Sequence, residues 1–264
     1  MLTRYPELDS VLNLRHEPLI NDEPRMFTPV QIKQFNDQGF VDPIPLFDGD
    51  SLNRIQRFFR ENDSRIKEMK AEAGTFISLH PFMAELYDLV THPRTVGYLQ
   101  DLIGPEVVCH ISAFINKPPQ QEKGGSFHQD ATFNAMDARS LIVWLAVEDA
   151  DEQNGCMRFI PGSHTRGVVE CDVSHYVIDP SQYGQDIPCE VPAGYGVFMS
   201  DLLMHSSPPN RSKERYRPGF TATYISAAQQ PYLQANQWAV QCGGVDVHGY
   251  WKPHARPKGP ALFT

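Results

Sequence analysis

The stretch "RSLIVWLAVEDADEQNGCMRFIPGSH", residues 139–164, decides the fold class that the sequence predicts. It begins with a nearly unbroken apolar run of strand length, which is typical of a β-strand buried on both faces. The "EQNG" segment that follows is a hairpin signal, and "CMRFIPGSH" is predicted to be the return strand. Residues 139–164 therefore predict a core that is rich in β-structure.

Further strand-like segments lie on both sides of this stretch. "EVVCHISAFINK" precedes it, whereas "RPGFTATYISA" follows it, and "CEVPAGYGVFMSDLLMHSS" holds a Pro-Ala-Gly turn and another strand pair. Many short strands separated by turn signals are typical of a sandwich or a jelly roll. The predicted class is mainly β with flanking helices.

The chain before Gly104 is predicted to be mainly helical. In "FTPVQIKQFNDQGF", Thr28 forms a capping box with Gln31, and Gly39 ends the helix. Three more helices are predicted in "SLNRIQRFFREN", with Ser51 as its cap, in "PFMAELYDLV" and in "PRTVGYLQDLIG". We expect one domain over residues 1–264, with a mainly helical flank at about 1–104, a jelly-roll core at 105–228 and a tail or lid at 229–264.

The composition argues against several classes of protein. Hydrophobic residues make up 41% and charged residues 21%, as is ordinary for a globular protein. The net charge of −9 argues against partners such as nucleic acid or an anionic membrane, because both attract clustered Lys and Arg. Five scattered cysteines without a CxxC pattern indicate neither a zinc ribbon nor a disulfide framework. Since no signal peptide or membrane span is recognised, a cytoplasmic location is expected.

A histidine and an aspartate two residues apart, His128 and Asp130 in "SFHQDATF", are candidate metal ligands. Residues i and i+2 of a strand share a face, so their side chains are expected to project together. His205 in "LLMHSSPPN" is the best candidate for a third ligand. Two histidines and one carboxylate leave three positions open on an octahedral metal, as in non-haem Fe(II) oxygenases. An H-x-D tripeptide alone is more often structural, so the hypothesis depends on its neighbours.

An arginine near the third ligand indicates what the open metal positions bind, namely a dicarboxylate whose far end the arginine holds. Arg217, in "RYRPGFTATYI", carries the planar and permanently charged group that suits the far end of a dicarboxylate. Ser207, two residues after His205, can add a hydroxyl beside it. Arg217 is preferred to Arg211 and Arg215 because it enters an apolar strand, which is expected to draw its side chain inward.

Four motifs in this order, "FINKPP", "HQD", "NGCMRFIPGSH" and "HSSPPNRS", resemble the phytanoyl-CoA dioxygenase-like family of Fe(II)- and 2-oxoglutarate-dependent oxygenases. The resemblance covers about residues 27–227. It implies a double-stranded β-helix, a cupin-like jelly roll with helices packed outside. It also places the iron ligands on His128, Asp130 and His205.

The resemblance further implies which residues bind 2-oxoglutarate. Its co-substrate arginine falls on Arg217 with Ser207 assisting, although a spacing one residue longer than the commonest form keeps Arg215 as a second candidate. Asn116 is expected to hold the carboxylate nearest the iron, with a turn contact as the alternative. Trp144 is expected to wall the co-substrate pocket, with a place in the core as the alternative.

The implied function is a dioxygenase that uses Fe(II), 2-oxoglutarate and O2, with ascorbate as an expected stimulant. We expect it to hydroxylate a C–H bond of a small metabolite or natural-product intermediate and to release succinate and CO2. Asp130 favours hydroxylation over halogenation, because in related halogenases a small residue there leaves room for chloride. Desaturation, epoxidation and ring formation use the same ligands. The alternative is a zinc-dependent hydrolase or isomerase, or a non-catalytic cupin-like metal-binding protein.

Two further histidines are interpreted as structural. His164 of "PGSH" is predicted to lie in a turn. His110 is predicted to be a structural histidine whose hydrogen bonds are satisfied, with a place lining the pocket as the alternative. Specificity is expected in four loops at the mouth of the barrel, at 120–125, 132–139, 165–187 and in the tail. No basic cluster for the phosphates of coenzyme A is apparent, so a small molecule is preferred to an acyl-CoA.

Overall fold

The protein folds into two antiparallel sheets with helices packed outside, which confirms the predicted jelly roll. Its structure is a computed structural model that describes residues 15–73, 78–134, 140–169, 178–230 and 235–263. Two of the predicted specificity loops, 132–139 and 165–187, lie partly outside these residues. Within the described residues, no helix combines the length and the apolar character needed to cross a membrane.

The larger sheet has six strands in the order β1-β7-β4-β9-β2-β10. Its strands are β1 (Phe40–Pro45), β2 (Val107–Lys117), β4 (Leu141–Ala146), β7 (Tyr195–Ser200), β9 (Arg217–Ser226) and β10 (Val240–Gly243). The longest pairing joins β2 to β9 and sets Lys117 opposite Arg217 at one end and Val107 opposite Ser226 at the other. Every strand of this sheet pairs antiparallel with its neighbours.

The smaller sheet has four short strands in the order β3-β8-β5-β6. They are β3 (Gly125–His128), β5 (Met157–Phe159), β6 (Ile187–Cys189) and β8 (His205–Ser207). A buried cluster that includes Trp144 of the larger sheet and Phe159 of the smaller one fills the space between the sheets. We call the face of the larger sheet that meets this cluster its inner face.

The helices cover the opposite, outer face of the larger sheet. They are α1 (Pro29–Gln38), α2 (Gly49–Ala73), α3 (Ala84–Val90), α4 (Pro93–Ile103) and the short α5 (Ala131–Asn134), which instead follows β3. Phe59 of α2 stacks on Phe114 of β2 at a ring-centre distance of 4.2 Å. The predicted capping box of α1 is present. Ser51 does not cap α2, because the helix already begins at Gly49 and Ser51 lies in its first turn.

The predicted hairpin after β4 is wrong. β4 pairs with β7 and β9, whereas the supposed return strand, β5, pairs with β6 and β8 in the smaller sheet. The turn chemistry is real, since Asp151 and Asn154 bond to each other's backbone. This turn carries the chain from β4 of the larger sheet to β5 of the smaller sheet. The strands flanking the Pro192–Gly194 turn likewise belong to different sheets.

Two boundary segments contain strands that were not predicted. β1 lies inside the mainly helical flank and carries two prolines, which is tolerated because it is an edge strand. In the tail, β10 extends the opposite edge of the same sheet. Beyond β10 the tail packs against the rest of the fold. Arg256 forms two hydrogen bonds with Asp88, and Trp251 belongs to a buried cluster. The extent of the domain over residues 1–264 stays a prediction.

Candidate metal and co-substrate site

Three side chains of the predicted metal site meet in the structure. His128 ends β3 and His205 begins β8, and the two residues are paired in register. Asp130 follows β3 in a turn, so the turn before α5, rather than strand alternation, brings it to the histidines. The donor atoms of the three residues lie within 4.8 Å of one another, so this group can hold a metal ion.

Backbone contacts orient both histidine rings for metal binding. His128 Nδ1 lies 2.7 Å from the Ser126 carbonyl oxygen, and His205 Nδ1 lies 2.9 Å from that of Leu203. A carbonyl only accepts, so each Nδ1 carries the proton and donates it. Each Nε2 then presents a lone pair, and these atoms lie 3.3 Å and 3.8 Å from Asp130 Oδ1. This tautomer suits ligation through Nε2.

The electrostatics of the group favour a deprotonated Asp130 carboxylate beside a neutral His205. Burial and, to a smaller extent, the nearby His128 lower the pKa of His205 to about 4. Burial opposes the charge of Asp130, but the two histidines outweigh it and lower the pKa of that carboxyl. For His128, burial is likewise outweighed by Asp130, so its pKa is raised. A bound cation would stabilise the same carboxylate.

Gln129, between two of the metal-site residues, has a positioning role that the sequence reasoning missed. Its side chain is fully buried and donates to the carbonyls of Gly167 and Leu202 at 2.8 Å and 2.6 Å. It also accepts a hydrogen bond from Val169. These bonds tie the turn after β3 to the chain just before His205. A glutamine between two polar residues offers no sequence signal for this role.

Arg217 lies beside Ser207, the residue whose hydroxyl the co-substrate hypothesis pairs with it. It is 1% exposed, and its Nη2 donates to Ser207 Oγ at 2.9 Å. Its guanidinium carbon lies 5.2 Å from the centre of the Trp144 ring. The Trp144 ring in turn packs against Gly219, where a Cβ atom would collide with the ring. Burial lowers the pKa of Arg217 to about 10. Within the described residues, its Nε and Nη1 are buried without a hydrogen-bond partner.

The two rival arginines are exposed to solvent. Arg215 is exposed and forms a bidentate pair with Asp151 at 2.7 Å and 2.9 Å. Arg211 is also exposed. The geometry brings Arg217, rather than either rival, to Ser207.

The expectation for Asn116 needs a correction. Its side-chain nitrogen lies 3.3 Å from Asp63 of α2, on the outer face of the larger sheet. Adjacent strand residues point to opposite faces, so the inner face at this level belongs to Lys117. The structure therefore does not bring Asn116 to the metal group.

The other two histidines lie away from the metal group, as predicted. His164 is buried in a 3-10 helix, Ser163–Arg166, and its Nε2 donates to the Asn36 carbonyl at 3.0 Å. His110 is buried 3.4 Å from Ser140 Oγ and beside the ring of Trp251. Burial lowers the pKa of His110 to about 4, as for a neutral histidine in a core.

The comparison with known families identifies the family of this chain. The family model described as "Phytanoyl-CoA dioxygenase (PhyH)" matches residues 35–219. The chain belongs to the phytanoyl-CoA dioxygenase family. The resemblance inferred from the four motifs is thereby confirmed, and with it a dioxygenase that uses Fe(II), 2-oxoglutarate and O2.

Curated members of the family cover the chain to different extents. The mouse phytanoyl-CoA dioxygenase domain-containing protein 1 is 30% identical over 256 residues, which cover 87% of this chain and 81% of that protein. The rat peroxisomal phytanoyl-CoA dioxygenase is 29% identical over 158 residues, which cover 54% and 46%. The match thus spans less than half the length of the peroxisomal relative.

Solved structures share the fold at lower identity. The non-haem monooxygenase ThoJ has a TM-score of 0.71 at 22% identity and covers 86% of this chain and 88% of its own. CytC3, solved with Fe(II) and α-ketoglutarate, has a TM-score of 0.65 at 22% identity and covers 88% and 99%. At this identity the likeness supports the fold of the family.

The residues present fit the two groups that the family uses. Two histidine side chains and a carboxylate form a donor set suited to Fe(II). At the other end of β8, the two buried nitrogens of Arg217 that have no partner among the described residues suit an incoming carboxylate, because an uncompensated buried charge is costly.

Proposed function

We propose that this protein is a hydroxylase that oxidises a C–H bond of a small molecule, with release of succinate and CO2. The single observation that carries the proposal is the continuity of the site along β8. His205 belongs to the metal group, and Ser207, two residues later, accepts a hydrogen bond from the buried Arg217. One short strand thus links a metal site with an anion site, as a metal-chelating dicarboxylate requires.

Each residue has a defined task in this proposal. His128, Asp130 and His205 hold Fe(II), and Arg217 with Ser207 binds the distal carboxylate of 2-oxoglutarate. Trp144 walls the arginine and excludes water from it. When bound, iron and 2-oxoglutarate supply the oxidising chemistry with O2, and the chain orients the reactants and shields them.

Hydroxylation is favoured over halogenation by the carboxylate of Asp130. A halide needs a ligand position on the metal, and Asp130 Oδ1, within 3.8 Å of both histidine Nε2 atoms, is placed to fill it. Solved relatives of this fold include an epimerase, SnoN, and a carbocyclase, SnoK, with TM-scores of 0.61 and 0.61. Product analysis must therefore distinguish oxygen insertion from these outcomes.

The space beside Arg217 suits a small molecule with an apolar part. Ile115 of β2 lies on the inner face, two residues from Lys117 and opposite Gly219, yet it is 44% exposed. Ala113 and Thr221, the next pair along the same face, are half-buried. These side chains form an open wall between the sheets, whereas residues of a closed core would be buried.

A spectroscopic experiment tests the reaction class. Anaerobic protein loaded with Fe(II) should gain a weak visible band when 2-oxoglutarate is added, and the band should decay on exposure to O2 with formation of succinate. Protein loaded with Zn(II) is the matched control and should show no band. Tight zinc binding with no band and no succinate from the iron form would contradict the proposal and favour a zinc-dependent hydrolase.

A product experiment tests hydroxylation itself. Small acids, amino acids, phosphonates, and terpenoid or polyketide intermediates are screened for stimulated succinate release. Any substrate found is then incubated under 18O2 and analysed by mass spectrometry. Hydroxylation requires a product heavier by one labelled oxygen atom. A product lighter by two hydrogens, or one of unchanged mass, would assign desaturation, ring formation or epimerisation instead.

A further inference from the structure

Lys117, the last residue of β2, is a buried lysine that the proposed chemistry leaves without a role. The residue is 4% exposed. Its ammonium donates to three backbone carbonyls, those of Gly155 at 3.3 Å, of Ser207 at 2.9 Å and of Pro208. Among the described residues, no carboxylate forms an ion pair with it. A buried ammonium satisfied only by neutral acceptors is unusual, because burial of an unpaired charge is costly.

The position of Lys117 connects it to the co-substrate arginine. Lys117 is paired in register with Arg217, so both side chains lie on the inner face. Ser207 lies between them, since its hydroxyl accepts from Arg217 and its carbonyl accepts from Lys117. Two cations from neighbouring strands therefore hold one serine by its side chain and by its backbone.

The backbone that Lys117 holds is packed closely on its other sides. A Cβ atom at Gly155 would lie 2.6 Å from the Pro208 carbonyl oxygen, and one at Gly124 would lie 2.6 Å from that of Ser207. Such distances are too short for a side chain, so the Ser207–Pro208 segment lies tightly between two glycines. Lys117 supplies hydrogen-bond donors to this segment from the sheet side.

We propose that Lys117 is a positioning residue for the co-substrate, which fixes Ser207 for Arg217 and adds a second positive charge beside that arginine. The inference rests on the proposed function, since the anion that would bind beside Lys117 and Arg217 is the distal carboxylate of 2-oxoglutarate. Arg217 and Ser207 bind that carboxylate directly in the proposed function. Lys117 acts through the serine backbone and through its charge.

The charges around Lys117 make this role measurable. Burial and the charge of Arg217 lower the pKa of Lys117 to about 7. Two titratable groups lie in the segments packed against Lys117, namely Arg217 of β9 and Cys156 of the turn before β5. The Ser207–Pro208 segment has no titratable side chain. Burial raises the pKa of the Cys156 thiol to about 11, so it is neutral near pH 7. A carboxylate that enters beside Lys117 favours its charged form, so binding at pH 8 should take up a proton.

The test is calorimetric titration of 2-oxoglutarate into protein loaded with Mn(II), which does not depend on turnover. Lys117→Met should weaken 2-oxoglutarate binding on the order of tenfold, because the second positive charge is lost together with the hydrogen bond that fixes the Ser207 backbone. Binding of 2-oxobutyrate, which lacks the distal carboxylate, should change much less. Lys123→Met, which removes an exposed lysine from the neighbouring loop, is the matched control and should bind like the wild type.

Proton uptake gives the second readout, and it requires only the wild type if the variant does not fold. Titrations at pH 8 in buffers of different ionisation enthalpy should show uptake of up to one proton, which disappears at pH 6 and in Lys117→Met. Wild-type binding without proton uptake, or equal binding by the variant, would overturn the inference alone. A failure of the Mn(II)-loaded wild type to bind 2-oxoglutarate would overturn the proposed function as well.

Discussion

The two sheets of this protein divide the work unequally. The larger sheet has strands of up to 11 residues, and its outer face packs aromatic rings against α2. The smaller sheet has strands of three or four residues, yet it carries His128, His205 and Ser207. Burial in the larger sheet supplies the stability that holds a polar and costly site together. Substitutions of site residues in the smaller sheet should therefore alter activity while the larger sheet maintains the fold.

The largest expected effect is loss of activity at the smaller sheet. Asp130→Ala removes the only carboxylate of the metal group, so 2-oxoglutarate-dependent succinate formation should fall by roughly a thousandfold or more. The unfolding free energy of the metal-free protein should change by less than about 1 kcal/mol, because the contacts described for Asp130 are only the two histidines. Succinate assays and urea unfolding measure the two effects. Asp22→Ala, at an exposed carboxylate, is the control.

The converse effect is expected at the larger sheet. Phe59→Ala removes a ring that is 2% exposed and stacked on Phe114, and should lower the unfolding free energy by about 3–5 kcal/mol. Phe82→Ala, at a ring that is 46% exposed, should cost less than about 1 kcal/mol. Urea unfolding gives both values. If the folded Phe59 variant bound Mn(II) much more weakly than the wild type, the proposed separation of roles would be wrong.

A smaller effect is expected where the two sheets meet. Arg217→Ala should raise the KM for 2-oxoglutarate by about a hundredfold with a smaller change in kcat, because a bidentate contact to a carboxylate is lost. Arg215→Ala removes only an exposed pair with Asp151 and should change this KM less than about threefold. Steady-state kinetics with varied 2-oxoglutarate measure both. The opposite ranking would move the anchor to Arg215.

The smallest effect concerns the acid sensitivity of the larger sheet. His80 is fully buried and bonded to Ser112 of β2, and burial lowers its pKa to about 3 from 6.5. Between those values the unfolded chain binds a proton that the folded chain does not, so stability falls as the pH falls. The slope attributable to His80 is about 1.4 kcal/mol per pH unit from pH 6 to pH 4.5.

Urea unfolding of His80→Asn over the same range measures that slope. The variant should lose stability less steeply than the wild type by that amount. His248→Asn, at an exposed histidine, should retain the wild-type slope. Equal slopes for all three proteins would mean that His80 is not held neutral by the sheet.

The sequence by itself determined the elements whose causes are local. The capping box of Thr28 and Gln31 needs only four consecutive residues, and it is present. The motifs around His128 and His205 also identified the family, because their order and chemistry are specific. Burial and turn chemistry act over a few residues, so a single chain reveals them.

Tertiary structure decided which sheet each strand joins and which face each side chain occupies. β4 is buried at every position and β2 at most positions, so apolar periodicity does not say which side is the inner face. Neighbouring residues of a strand point to opposite faces, so Lys117 lies on the inner face of β2 where Asn116 was expected. The turn after β4 was predicted from its residues, but the partner of β5 depended on a strand nearly fifty residues later in the chain. Strand pairing is non-local, and only the folded chain brings these residues together.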